Sequence, residues 1–286
     1  MNKEINIGDE SNFNSPLGVG GSILDKILSS KAIEVAERKQ LIPIPVLEKT
    51  AAFSRECLSL KQSLLNSDSG IIAEFKRKSP SLGWIHQHAN VVDVTVGYNA
   101  AGASGISILT DLPYFGGTPM DLIAPRDQLT CPVLRKDFVI DSYQLYEAKS
   151  IGADVILLIA AALSVEKTLE LACKAHELGL EVLLEVHNAE EIGHANEYVD
   201  MLGVNNRNLK TFEQNIQVSF DLADLIPHEF VKVSESGISK VETVNELRKV
   251  GYKGFLMGEN FMKEEHPAEA LKNFISSLKP LTPKGE

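Results

Sequence analysis

The chain is poor in cysteine and tryptophan, with three Cys and one Trp in 286 residues. Cys57, Cys131 and Cys173 are odd in number, far apart and outside any CxxC spacing, which argues against a disulfide framework and against a cysteine zinc site. Three reduced thiols are expected. Basic residues are also scarce: 28 Lys and Arg face 39 Asp and Glu, a formal charge of −11, whereas non-specific nucleic-acid binding rests on surplus cations. Long apolar runs are missing, since the longest, 155–163, falls well short of the roughly 20 residues that a membrane helix needs. Residues 1–16 have neither the apolar core of a signal peptide nor a basic amphipathic pattern, so a polar arm and a cytoplasmic protein are expected.

What is present looks globular. Hydrophobic residues make up 44% and charged residues 23%, which removes disorder, collagen and coiled coil from consideration. Two helical patterns come first, at 23–39, with Ser22 as N-cap and Pro43 and Pro45 as stops, and at 53–65. From Gly70 onward, short apolar runs alternate with amphipathic stretches. The runs are 71–75, 105–109, 132–134, 155–159, 182–186, 201–204, 231–233 and 254–257. Several are apolar without a break, as parallel strands buried on both faces are. Gly152, Gly179 and Gly251 follow three of the helical stretches where a C-cap glycine belongs.

Eight strands, each followed by a helix, predict the α/β class and a (β/α)8 TIM barrel with an N-terminal helical extension. A single domain over 1–286 is expected, with a polar arm at 1–21, the extension at 22–69 and the barrel at 70–280. A doubly wound open sheet would call for a glycine-rich turn after its first strand. That turn reads Lys76-Arg77-Lys78-Ser79-Pro80.

In such a barrel the chemistry sits at the C-terminal strand ends, and the unusual polar residues gather there. Strand 1 ends with Glu74 and Lys76 on one face, because side chains alternate. Strand 3 ends Arg135-Lys136-Asp137, strand 5 Glu185-Val186-His187, strand 6 Asn205-Asn206-Arg207-Asn208, and strand 7 Ser234-Glu235-Ser236-Gly237. These charges could simply be salt bridges around the mouth. Desolvating so many at one end is costly, however, which favours a ligand or a reaction that uses them.

The loops after strands 7 and 8, Ser236-Gly237 and Gly258-Glu259, are where barrels commonly bind phosphate, with 260–263 as a short extra helix and Ser79 or Ser236 as a further donor. Lys136 and Glu185, with Glu74 and Lys76, form an acid/base ring suited to proton transfers on a phosphorylated sugar derivative, with no metal and no cofactor. His86-Gln87-His88 reads as a solvated loop feature and His187 as structural.

The motifs are also recognisable. The stretch Ile72-Ala73-Glu74-Phe75-Lys76-Arg77-Lys78-Ser79-Pro80-Ser81 resembles the signature of the indole-3-glycerol phosphate synthase family. The resemblance continues in register at Ser107 to Asp111 with Phe115-Gly116-Gly117, at Val133 to Phe138, at Leu184 to His187, at Gly203 to Leu209, at Ser234 to Ile238 and at Leu256 to Glu259. It implies closure of the pyrrole ring of 1-(2-carboxyphenylamino)-1-deoxyribulose 5-phosphate, with loss of carbon dioxide and water. It further implies Lys136 as general acid, Glu185 as base or electrostatic partner, Lys76 as substrate-binding lysine and second acid, and Glu74 as an essential carboxylate. Asn205, Arg207 and Glu235 match residues that orient the ring, the carboxylate and the catalytic ammonium. Ser79, Ser236, Gly237, Gly258 and Glu259 match the phosphate side, the last two mainly through backbone N–H, and Phe115 matches the pocket wall. The one departure near the site is Asn260-Phe261, where small or aliphatic residues are expected.

Phosphoribosylanthranilate isomerase would share the phosphate site but uses Cys with Asp, and no cysteine ends a strand here. A catalytically silent barrel would have lost one of Lys136, Glu185 and Glu74, and all three are present. The expected partner is a small phosphorylated substrate, not nucleic acid or membrane, with the protein a monomer or weak homodimer.

Overall fold

The computed structural model describes residues 21–278, so positions 1–20 of the expected arm and the final positions of the expected barrel lie outside the described residues. Ser22 starts the first helix. Its hydroxyl accepts from the Asp25 amide at 3.2 Å while Asp25 accepts from the Ser22 amide at 2.8 Å, a reciprocal cap that fixes α1 (Ile23–Leu41). Pro43 then opens a single turn, α2 (Ile44–Leu47).

The helix expected at 53–65 is shorter than the pattern implies. Residues 51–55 are turns and bends, 56–59 have no regular structure, and α3 spans Leu60–Asn66. The cause is tertiary: the Glu181 carboxylate accepts from the amides of Leu60 and Lys61 at 2.8 and 3.0 Å, so the helix begins where an outside acceptor satisfies its first donors.

The barrel strands are β1 (Ile71–Phe75), β2 (Gly105–Leu109), β3 (Val133–Lys136), β4 (Val155–Ile159), β5 (Glu181–Val186), β6 (Met201–Asn205), β7 (Val231–Glu235) and β8 (Gly254–Met257). Each pairs in parallel with its neighbours, and β8 returns to β1 to close the barrel. Between the strands lie α4 (Val91–Ala100), α5 (Leu112–Phe115), α6 (Pro119–Ile123), α7 (Tyr143–Ser150), α8 (Val165–Glu177), α9 (Gln217–Leu222) and α10 (Val241–Lys249), with α11 (Glu259–Met262) and α12 (Pro267–Ser276) after β8. The expected helix between β5 and β6 is only a 3-10 turn, Glu190–His194. Few residues separate those strands, and Asn188 ties the turn by accepting from the Glu191 amide at 3.0 Å.

Alternation along the strands separates two cores. Ile71, Ala73 and Phe75 face outward into the helix layer, whereas Ile72, Leu134, Leu157, Leu183, Val233 and Leu256 fill the barrel interior. Leu60 and Leu64 of α3 join the interior set from the N-terminal end and stopper the barrel. Gly105 makes room for this, since a Cβ there would lie 2.5 Å from Leu60 Cδ1. Leu60→Ala should therefore cost about 2–5 kcal/mol of stability, read by denaturant unfolding, and a cost below about 1 kcal/mol would show that the stopper is dispensable.

Candidate active site

At the opposite end the interior changes from apolar to charged within one strand period. Above Ile72 stand Glu74 and then Lys76, above Leu134 stands Lys136, above Leu183 stands Glu185, and above Val233 stands Glu235. These side chains surround a cavity of ≈ 420 Å³ that all thirteen residues singled out in the sequence line. Lys136 Nζ lies 3.0 Å from Glu235 Oε2 and 3.4 Å from Glu185 Oε2, while Lys76 Nζ lies 2.8 Å from Glu74 Oε1.

The electrostatics are strongly coupled. Burial disfavours the Lys136 ammonium, but Glu235, Glu185 and Glu74 outweigh it and hold its pKa above the ordinary lysine value. Glu185 is likewise kept ionised against burial by Lys136, His187 and Asn205. Glu74 is held low mainly by Lys76 and Lys136, again against burial. Glu235 is the exception: burial and the neighbouring Glu185 and Glu74 push it up to about 7 despite Lys136. Three carboxylates thus share two ammoniums, and the third takes up a proton first. His187 sits behind Glu185, its Nε2 3.4 Å from Oε1 and its Nδ1 3.1 Å from Glu191, and these two carboxylates raise it to about 10 against the effect of burial. It is a buttress for Glu185.

Two glycines make space for carboxylates. A Cβ on Gly203 would meet Glu235 Oε1 at 2.2 Å, and a Cβ on Gly258 would meet Glu74 Oε1 at 2.7 Å. Gly258 was expected to matter through its backbone, and the structure adds this second reason for glycine. Gly203→Ala should displace Glu235 and lower kcat roughly 10- to 100-fold with little change in KM. An unchanged kcat would mean that the Glu235 position is not critical.

The loops complete the rim. Ser236 and Gly237 both take left-handed conformations (φ 66° and 72°) as the chain leaves β7, a turn that suits glycine and is rare for serine. Arg207 bridges the β8 loop and the β1 loop through Glu259 at 3.2 Å and Ser81 at 2.9 Å, so the Glu259 side chain also has a partner. Ser79 accepts from the Leu82 amide at 3.2 Å in a small hairpin of residues 78–84. Phe115 faces Phe138 with ring centroids 6.0 Å apart. The sequence reading did not single out Phe138 as a lining residue, nor Ile23, Leu24 and Ile27 of α1, which roof the cavity. Their signal was present in the helical spacing, where it reads as ordinary core.

Among the described residues no group of three or more His, Cys, Asp and Glu could hold a metal ion, and no helix is long and apolar enough to cross a membrane. A TIM barrel with buried carboxylates paired to half-buried ammoniums at its C-terminal mouth, beneath an apolar roof, defines an acid/base enzyme for a small polar substrate. The family model described as indole-3-glycerol phosphate synthase matches residues 24–274. Over 256 residues the chain is 52% identical to the indole-3-glycerol phosphate synthase of Bacteroides thetaiotaomicron, covering 90% of this chain and 98% of the relative. It is 42% identical to that of Burkholderia ambifaria over 253 residues, covering 87% and 97%. The fold is shared with a chain of the tryptophan synthase α2β2 complex from Pyrococcus furiosus, at a TM-score of 0.54 and 18% identity over 74% of this chain and 98% of that one. The chain belongs to the indole-3-glycerol phosphate synthase family and is a carboxy-lyase of tryptophan biosynthesis.

Proposed function

We propose that the barrel mouth closes the indole ring of 1-(2-carboxyphenylamino)-1-deoxyribulose 5-phosphate with the following division of labour. Lys136 donates a proton to the substrate ketone oxygen as the ring carbon bearing the carboxylate attacks the ketone carbon. Carbon dioxide then departs, leaving its electron pair to restore the aromatic ring. The resulting hydroxyl leaves as water after a second protonation, with Lys76 as the second acid, while Glu185 takes the proton from the adjacent carbon. Two protons go onto oxygen and one is removed from carbon, so each turnover draws one proton from solvent.

The observation that carries this reading is the Lys136 ammonium, half-buried in the mouth between Glu185 and Glu235, where a cation is held ready for a developing alkoxide. Glu235 orients that ammonium and Glu74 orients Lys76. Asn205 steadies Glu185, and Arg207 is placed at the rim for the substrate carboxylate. Phe115 packs against the aromatic ring. Ser79, Ser236, Gly237, Gly258 and Glu259 form the phosphate side, supported by the left-handed turn after β7 and the short helix α11 after β8. The extension and the barrel form one domain, a reading supported by α1 roofing one end and α3 stoppering the other. The excess of acidic side chains suits a cytoplasmic enzyme acting as a monomer or weak homodimer.

The test is a fluorescence assay for the indole product with purified protein, with and without a chelator. Turnover that survives chelation supports both the reaction and its independence of metal. No product despite binding of a phosphate-bearing analogue would overturn the reading.

A further inference from the structure

The roof helix α1 contributes only Ile23, Leu24 and Ile27 to the cavity, all apolar. One turn further on it buries a cation almost completely: Lys31 is 1% exposed. Its Nζ lies 2.9 Å from Asp137 Oδ1, 3.0 Å from Asp111 Oδ2 and 2.9 Å from Glu34 Oε2. Burying an ammonium is costly, so three carboxylates at this range mark a specified joint. The joint is closed into a ring. Asp137 Oδ2 accepts from Arg135 at 3.0 Å and from the Thr110 hydroxyl at 2.7 Å; Arg135 reaches Glu147 at 3.5 Å, Glu147 reaches Arg38 at 3.3 Å, and Arg38 returns to Glu34 at 2.8 Å.

Both strand-end partners of Lys31 adjoin working parts of the mouth. Asp137 follows Lys136, and its Oδ1 also accepts from the Phe138 amide at 2.8 Å. Asp111 caps α5 by accepting from the Tyr114 amide at 2.9 Å, and α5 ends at Phe115. Phe115 and Phe138 are the facing rings of the cavity wall. Apolar contacts are non-directional, whereas an ammonium shared by three carboxylates at 2.9–3.0 Å fixes which atoms must meet.

We propose that Lys31 is a positioning residue for the reaction: through Asp137 and Asp111 it fixes Lys136 and the Phe115–Phe138 wall beneath α1. This rests on the function proposed above. The phosphate-side loops after β7 and β8 take no part in the ring, so the effect is confined to one half of the cavity.

The experiment compares Lys31→Met with wild type in kcat, in inhibition by the product indole-3-glycerol phosphate, in inhibition by inorganic phosphate, and in tryptophan emission. Trp84 is the only tryptophan, and it packs against Gly116, where a Cβ would lie 2.9 Å from its ring, so its emission reports the end of α5. The expected result is a roughly 30-fold fall in kcat, product inhibition weakened by about tenfold, phosphate inhibition changed by less than about twofold, and a red-shifted Trp84. Wild-type kcat in the folded variant would overturn the proposal. So would equal losses of product and phosphate binding, since that pattern belongs to general loosening of the mouth. If Lys31→Met does not fold, Asp111→Asn keeps the cap on α5, since Asn caps as well as Asp, and removes one ion pair. A red-shifted Trp84 with weaker product inhibition supports the proposal in that variant, and the absence of both overturns it. A wild-type protein with no turnover would fail the proposed function instead, and the emission shift would still test the joint.

Discussion

Lys136→Met should lower kcat by roughly 10³- to 10⁴-fold while the product binds within about threefold of wild type, because the lysine acts on charge that develops only in the transition state. Methionine approximates the length of the lysine side chain, so the wall formed by Phe115 and Phe138 keeps its filling. What disappears is the cation between Glu185 and Glu235. Lys136 is the largest influence opposing burial at both carboxylates, so each then holds a proton to higher pH. Neither carboxyl group can stand in for it, since neither presents a positive charge to the developing alkoxide. Single-turnover kinetics would decide the matter: turnover within about tenfold of wild type would show that the acid lies elsewhere, with Lys76 the first alternative.

Glu185→Gln should also cost roughly 10³-fold in kcat, through a different step. The amide keeps the shape of the side chain and can still accept from Lys136, but it cannot take a proton from carbon. A kinetic isotope effect with substrate deuterated at that carbon would locate the loss, and a kcat near wild type would remove Glu185 from the base role. The same variant has a second readout in His187, which burial lowers and which Glu185 and Glu191 together raise to about 10. Without the Glu185 charge its titration, followed by NMR, should move down toward the ordinary value of 6.5. Because folding raises this histidine's pKa, its contribution to stability is full below 6.5 and is lost as the pH climbs to about 10. Glu185 contributes in the opposite sense, above its ordinary 4.5. The stability gap between wild type and variant should therefore be widest between pH 4.5 and 6.5 and should narrow toward pH 10.

The strand ends were legible because the period of two is unforgiving. Glu74 and Lys76 must share a face, and one residue of Arg135-Lys136-Asp137 must differ from the other two. The structure sends Lys136 inward and gives Arg135 and Asp137 to the ring beneath α1, a division that alternation implies but that the cluster of charges obscures. Composition likewise concealed Lys31, which on a sequence reads as one more solvated lysine of an amphipathic helix. Its burial depends on Asp111 and Asp137, some eighty and a hundred positions away, which no local pattern reports. The start of α3 failed for the same reason: its first donors are satisfied by Glu181 on β5. Gly203 and Gly258 were visible as glycines, yet the need for them lies in a neighbouring strand's carboxylate.

The two-ended grip of the extension bears on synthesis. Ser59, just before α3, finds its acceptor in Glu181, 122 positions later, and Leu60 and Leu64 pack among residues as late as Leu256. As the chain leaves the ribosome, the extension has no finished surface to settle on until the last strand has been translated and the cylinder has closed. Such distant pairings form slowly, and exposed apolar side chains invite aggregation meanwhile. Nascent chains arrested before residue 254 should therefore leave the extension open to protease, and it should become resistant only once the whole barrel has emerged.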